Sequence, residues 1–406
     1  MKKKARFPKK KKVSWDFFNT VAIFLFLLLL PTQLGKHFFL PFSFISGIRI
    51  DYLAPTLYLT DLLIIILAVI NWRFFLDSIK NRFVLSTVFV LLIHSLVFAE
   101  FPPLALYRLL KFVEIVFIFF LFRKRRPSQG FILWGLLTGV VFEVILSTAQ
   151  FAMKHSVQGF FYFFGERAIT LSLPDVAKAS LQGVEILRPY GTFSHPNSMA
   201  GFFLLIYTYI LTLEETRYPW ITKTILFGTS ILIFLSFSKI AIGFFLLINF
   251  ICLIRKGDFS CKLCITSRAL ILVALAFVFM SAQTDPFSIS KRFELFGNSL
   301  EVVRTHPWGT GLGHYLIAQG SMGSRFLMLS FQPVHNILLY VLAEVGIVFF
   351  GILVFLGGRQ IAERLRSLAF ALCFMVVLGT GMGDHYWVTL QQNLLLLPVI
   401  FGLLES

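Results

Sequence analysis

The sequence predicts an all-α, polytopic integral membrane protein of about twelve transmembrane helices. Two observations lead to that class. The 406-residue chain is 57% hydrophobic and only 14% charged, whereas soluble domains carry roughly a quarter charged residues. Its mean hydropathy is +0.81 and its net charge +17, with the Lys and Arg gathered in short connections between apolar runs. A nucleic-acid partner would need a basic face on a folded soluble domain, and no polar segment is long enough to build one. The charge fits the excess of cations in cytoplasmic loops instead.

A bilayer-spanning helix needs about 20 mostly apolar residues. Such runs lie near 17–34, 56–71, 83–98, 104–122, 131–152, 198–213, 221–236, 239–254, 268–282, 334–356, 367–382 and 388–404. The seventh and eighth are separated only by Ser236-Phe-Ser-Lys239. Residues 1–16 form a basic cytoplasmic tail, and 17–406 a single membrane domain. The basic N-terminus followed by an apolar run resembles a secretory signal, but no small-x-small cleavage site follows, so the first run reads as a signal-anchor helix. Gly135, Gly139, Gly201, Gly243, Gly346 and Gly351 are placed to let helices pack closely.

The basic clusters set the orientation. Eight Lys/Arg precede the first run, and others lie at Arg73, Lys80 and Arg82, at Arg123 to Arg126, at Arg255, Lys256, Lys262 and Arg268, and at Arg359, Arg364 and Arg366. With twelve helices and a cytoplasmic N-terminus, all five fall on the cytoplasmic side. The long polar connections, 153–197 and 283–333, are then external, and loops of that length tend to carry function. Residues 35–55 are also external and lie along the interface. Of the four cysteines, Cys261-Lys-Leu-Cys264 has C-x-x-C spacing, but no second pair completes a zinc site. No cysteine falls in an external segment, so external disulfides are not expected.

Three external elements carry polar chemistry. The first is Arg188-Pro-Tyr-Gly-Thr-Phe-Ser-His-Pro-Asn197. Pro189 and Pro196 stiffen it, Arg188 suits bidentate phosphate binding, and Ser194 or Asn197 can cap the following helix. Arg188 could equally snorkel to headgroups. The second is 290–304, where Phe293, Phe296, Leu300 and Val303 recur at helical spacing, with Arg292 at the start and Arg304 at the end. It runs into His306-Pro-Trp-Gly-Thr-Gly-Leu-Gly-His314, whose glycines suit a loop packed closely on a ligand. With no strand before it, its glycine spacing is only a weak dinucleotide signal. The third is His335-Asn336 at the start of the tenth run, with Glu344 deeper in the same run, where an ionisable group is costly without a use. Asp384 and His385 add polar groups before the last run. No external segment holds the clustered carboxylates of an oxygen-rich metal site, so no metal or other cofactor is expected.

Together these residues resemble the bacterial O-antigen ligase and polymerase superfamily. Residues 188–197 are similar to its R-x-x-G-T-F-x-H-P-N signature. Lys291-Arg292 with His306 to Gly313 resembles its external R … P-x-x-G-x-G segment. His335-Asn336 with Glu344-x-Gly346 resembles its H-N … E-x-G helix start. The resemblance implies a C-type glycosyltransferase fold and transfer of a glycan from a polyprenyl-diphosphate carrier to an acceptor hydroxyl of a glycolipid, glycan or protein. Transfer would occur at the outer face of the cytoplasmic membrane, without metal and with inversion. Under it, Arg188 and Arg292 bind the diphosphate and His335 orients or deprotonates the acceptor, while His195, Asn197, Arg304, Asn336 and Glu344 line the substrate site. Chain polymerisation within the same superfamily is an alternative, and so is a flippase for lipid-linked glycans, kept open by Glu114, Glu143 and Glu344 within apolar runs.

Overall fold

The computed structural model describes residues 13–125, 127–173, 176–181, 183–213, 217–256, 273, 288–321 and 331–405. The tail to residue 12, the apolar run 268–282 apart from residue 273, Cys261, Cys264 and parts of the connection 283–333 lie outside the described residues.

Every other apolar run coincides with helix. In chain order these are α1 (Val13–Leu29), α2 (Leu59–Ile70), α3 (Trp72–Ile79), α4 (Arg82–Phe98), α5 (Pro102–Lys124), α6 (Gln129–Met153), α7 (Pro196–Thr212), α8 (Pro219–Leu235), α9 (Lys239–Lys256), α10 (Ser288–Thr305), α11 (Tyr315–Gly320), α12 (Ile337–Arg364), α13 (Leu368–Gly381), α14 (Tyr386–Thr389) and α15 (Gln391–Leu404). Among the described residues, α6 and α12 are long and apolar enough to cross a membrane, and α2 with α3 makes a third if their 99° bend is one broken span. Among the described residues, helix length and composition thus support two or three spans, and the expected twelve are not confirmed. The bend falls at Asn71, whose side chain is held by Asn19 at 2.6 Å and Arg125 at 3.0 Å.

The central helix is α7. It packs against α8, α9, α13 and α15, and Phe202, Phe203, Leu204 and Leu205 have no exposed surface. Around it, α1 lies on α2 and α6, α6 on α8, and α5 on α15. A helix apolar all round belongs inside a bundle. The polar 188–197 stretch thus sits on the end of the most buried helix. The outward face is also apolar, with Val354 and Phe355 of α12 and Leu96 and Val97 of α4 exposed, as expected of a surface against lipid.

The two ends of the bundle differ in chemistry. At one end Arg123 and Arg364 meet the carboxylate of Glu405 at 3.3 and 2.9 Å, and Trp134 packs edge-on against Trp220. At the other end the polar motifs gather over a second apolar cluster that includes Phe42, Leu53, Val302, Tyr315, Val334 and Tyr340.

The long connections are not purely helical. Residues 35–58 form two antiparallel pairs, β1 (Gly35–His37) with β4 (Thr56–Tyr58) and β2 (Phe44–Ile45) with β3 (Ile48–Arg49). Residues 178–187 form a hairpin of β5 (Lys178–Leu181) and β6 (Val184–Leu187). The all-α expectation thus holds for the bundle but not for its connections, where short strands pair backbone groups that no helix satisfies. In α10 the face toward the core is Leu295, Ser299 and Val302, while Phe293, Phe296 and Leu300 point outward.

Glycines expected at helix contacts divide into two groups. A Cβ on Gly135 would lie 2.8 Å from Leu27, and one on Gly201 2.3 Å from Tyr386, whereas Gly243 and Gly351 face open space. Those two are not packing glycines. Gly346 is a third case. Its φ of 80° breaks α12, freeing backbone groups within an apolar bundle. The glycine-rich loop supplies their partners: Thr310 N–H donates to the Ala343 carbonyl, Gly311 N–H to the Glu344 carbonyl, and Ile347 N–H to the Pro307 carbonyl, all at 2.9 to 3.0 Å. The glycines of this loop therefore allow close approach to a helix break, where the sequence had suggested a ligand. A Cβ on Gly346 would lie 2.2 Å from the Trp308 backbone.

Gly346→Ala is expected to destabilise the protein by about 2 kcal/mol or more, since it combines positive φ with a backbone clash. Gly243→Ala and Gly351→Ala should be neutral or stabilising by up to ~1 kcal/mol through helix propensity. Thermal unfolding of the three variants in one detergent checks the contrast. Equal effects would overturn the docking argument.

Candidate active site at the motif end of the bundle

The 188–197 loop is held from below by α6. Gln150 accepts from the backbone N–H groups of Tyr190 and Gly191 at 2.9 and 2.8 Å and donates to the Gly191 carbonyl. Glu143 accepts from the Thr192 hydroxyl and from its N–H, and the same hydroxyl lies 2.8 Å from the Pro31 carbonyl. Gly191, at φ 57°, lies so close to Glu143 that a Cβ would overlap the carboxylate. Here the loop needs its glycine. These bonds fix the loop's backbone and leave its ends to present side chains.

Arg188 is anchored at the break between α8 and α9. Its Nε donates to the Ser236 carbonyl at 2.7 Å, and an Nη donates to Asn197 Oδ1 at 2.6 Å. A guanidinium has five N–H groups, so three remain once these bonds are made. Burial first, together with the nearby Arg292 charge, lowers its pKa to about 10, against the raising effect of Tyr190 and Asp384. It stays cationic at neutral pH.

Asn197 does not cap α7. That role falls to His195, whose Nδ1 accepts from the Asn197 N–H at 3.1 Å. Asn197 is thereby free to bridge, and its Nδ2 donates to Asp384 Oδ2 at 3.0 Å. Asp384 lies 3.4 Å from His335 Nδ1 and 3.9 Å from His385 Nε2. The rings of His335 and His385 are 5.2 Å apart, and Tyr52, from the 35–58 connection, stands edge-on to His385. Arg292 is close enough for its charge to act on both Arg188 and His385.

The environment fixes most charges. Burial lowers the His195 pKa to about 3, with Arg188 adding to the effect. Burial lowers His385 to about 4, against the pull of Asp384. Both rings are neutral near pH 7. Burial raises the Asp384 carboxyl, but His335 and then His385 and His195 outweigh it and hold the group well below the usual carboxylate range.

Of the residues expected from sequence, Arg188, His195, Asn197, Arg292 and His335 are brought together. Asn336 caps α12 by accepting from the Leu339 N–H at 3.0 Å. Glu344 faces Arg108, Tyr340 and the backbone of Gly313 and Tyr315, where it supports the glycine loop. Arg304 is 77% exposed and pairs with Glu301 on its own helix at 2.7 Å, outside the cluster. Sequence reading put Asp384 and His385 on the external side but assigned neither to the site. It missed Tyr52, Arg108 and Arg167. Arg108 sits inside an apolar run and donates to the Tyr52 carbonyl at 2.8 Å. Arg167 donates to the Ser194 carbonyl at 3.0 Å. A charged residue inside an apolar run was the available signal for Arg108; the other two are set by contacts across the chain. His335, Asp384 and His385 place one nitrogen or oxygen each within 4.8 Å of one another, the described trio able in principle to share a cation.

Residues 201–356 match the family model for O-antigen ligase. The match covers less than half of the chain and bears out the resemblance read from the sequence. It contains Arg292, His335 and the glycine loop, and begins four residues after Asn197. Comparison with curated proteins gives no match. The match and the apolar composition together support an integral membrane protein similar, over residues 201–356, to the O-antigen ligases.

Buried neutral histidines make stability depend on pH in a definite direction. Unfolding releases His195 and His385 to an ordinary pKa of about 6.5, so the unfolded chain takes up protons that the folded one refuses. The stability they confer is present above about pH 6.5 and is lost as pH falls toward 4. His37 and His314 are also lowered, mainly by burial, and act in the same direction. The melting temperature should therefore fall between pH 6.5 and 4, and His385→Gln should flatten the fall by about one proton, or ~1.4 kcal/mol per pH unit. Thermal scans across that range test it, and an unchanged slope in the variant would count against a buried neutral His385.

Proposed function

We propose that the protein is a membrane glycosyltransferase that moves a glycan from a polyprenyl-diphosphate carrier to an acceptor hydroxyl on the outer face of the cytoplasmic membrane, its N-terminus being cytoplasmic. The observation that carries this reading is the meeting of Arg188, Arg292 and His335 from three separate segments at one end of the bundle.

The chemistry follows from those groups. The acceptor oxygen attacks the anomeric carbon from the face opposite the diphosphate, the bond to the phosphate oxygen breaks with its electron pair, and the acceptor proton passes to His335. Attack from the opposite face inverts the centre. Negative charge grows on the leaving diphosphate, and fixed arginines stabilise it most where water is partly excluded. The three N–H groups of Arg188 not used for anchoring suit a phosphate oxygen pair. A neutral hydroxyl needs a base that works near neutral pH, and imidazole is the side chain suited to it. Arginine charge makes a divalent ion unnecessary in this scheme. The apolar outer faces of the helices suit a polyprenyl tail.

The ionisable groups that had kept a transport reading open have local partners instead of a shared path. Glu143 holds Thr192, Glu114 pairs with Lys111 at 3.3 Å beside Asp61, and Glu344 faces Arg108 and the glycine loop. This favours the enzyme over a flippase.

Purified protein in liposomes with a labelled lipid-linked glycan tests the assignment. Arg188→Ala, Arg292→Ala and His335→Ala should each lower transfer by about 100-fold or more, while Arg304→Ala should stay within about twofold, as expected for an exposed pair. Full activity in all three, or translocation without transfer, would refute the proposal. A single transferred glycan marks a ligase, and a ladder of products marks a polymerase.

A further inference from the structure

We infer that Asp384 is a positioning residue for His335: it holds the ring with Nδ1 inward and Nε2 toward the acceptor, and through Asn197 it ties that ring to the phosphate-binding Arg188. The inference rests on the reaction proposed above.

The geometry is directional. His335 is 22% exposed, yet its Nδ1 is buried and has no hydrogen-bond partner other than the nearby carboxylate. The exposed edge is therefore the Nε2 side. The 3.4 Å separation from Asp384 Oδ1 is an ion-pair distance longer than a good hydrogen bond, and catalytic bonds commonly tighten when substrate binds. The carboxylate is itself fixed, because Oδ1 accepts from the His385 N–H at 2.8 Å and Oδ2 from Asn197 Nδ2 at 3.0 Å. Asn197 in turn accepts from Arg188. The line Arg188, Asn197, Asp384, His335 thus joins the proposed phosphate arm to the proposed base through side chains from three segments. A carboxylate on Nδ1 selects the tautomer in which Nε2 is free to accept a proton and stabilises the imidazolium that forms.

The groups around His335 fit this reading. Asp384 is its one close carboxylate among the described residues. His385 is held by Thr389 through Nδ1 at 2.7 Å and His195 by its capping bond, so both are committed elsewhere. The charges of Arg188 and Arg292 act on Asp384 and on His385 respectively, and Tyr52 faces Asp384, Arg167 and Asp51. The two arginines oppose a cation shared by His335, Asp384 and His385, whereas they favour an ionised Asp384.

Asp384→Asn keeps the volume and removes the charge. In reconstituted protein it should lower kcat by about 10- to 1000-fold, leave the donor KM within about twofold, and move the acidic limb of the pH–rate profile to lower pH, because the imidazolium loses its counter-charge. Asp384→Glu should recover part of kcat. Nitrogen-15 histidine spectra of the intact protein give a readout independent of turnover: neutral His335 should carry its proton on Nδ1 in the parent and lose that preference in Asp384→Asn. A parent-like kcat, pH profile and tautomer in Asp384→Asn, with His335→Ala inactive, would overturn the inference while leaving the proposed function standing. Activity abolished by a chelator and restored by Zn²⁺ or Mn²⁺ would also overturn it, by making Asp384 a metal ligand. Full activity in His335→Ala would remove the reaction on which it rests.

Discussion

A helix that stops inside an apolar bundle leaves N–H and carbonyl groups that water does not reach, and they must find partners in the protein. At the break after α8 the Ser236 carbonyl takes a hydrogen bond from Arg188. At the break in α12 the loop 307–311 pairs the backbone on both sides of Gly346. Each requirement draws a connecting segment down onto the bundle, and both segments carry residues of the candidate site or lead directly from them. The same bonds that satisfy the breaks thus assemble the site.

The support beneath the 188–197 loop has the same logic. Polar residues on α6 would be costly in an apolar environment without partners. Glu143 and Gln150 have them, in the backbone and hydroxyl groups of Tyr190, Gly191 and Thr192. These bonds hold the loop in place, and Gln150 also donates to Glu166 at 2.8 Å. Rigidity at that point matters for Arg188, since electrostatic stabilisation of a developing charge works best when the charge need not be reorganised. Arg188 enters the site already held by two hydrogen bonds.

Much of the bundle was legible in sequence. The apolar runs coincide with helices wherever the structure describes them, because length and hydropathy are local properties. Arg123 and Arg364, both read from the chain as parts of basic clusters, meet at Glu405. The glycine-rich loop was legible as a site of close approach but not as to what it approaches. Its partner is the backbone of α12, more than 30 residues onward. The cap of α7 was misplaced for a similar reason. Asn197 is an excellent cap by type, but Arg188 and Asp384 compete for its side chain, and His195 takes the cap.

The sequence by itself determined the membrane class, the order of the helices, the family resemblance, and the residues of the three polar motifs. Those features rest on composition, periodicity and short spacing. Only the tertiary structure decided which of these residues meet. It brought Arg188 to Arg292 and His335, set Arg304 outside on an exposed ion pair, turned Glu344 to the support of a loop, and placed Asp384 between Asn197 and His335. Hydrogen-bond partners separated by 187 residues are chosen by the packing of α7 and by the helix breaks around it, and no local pattern encodes that choice.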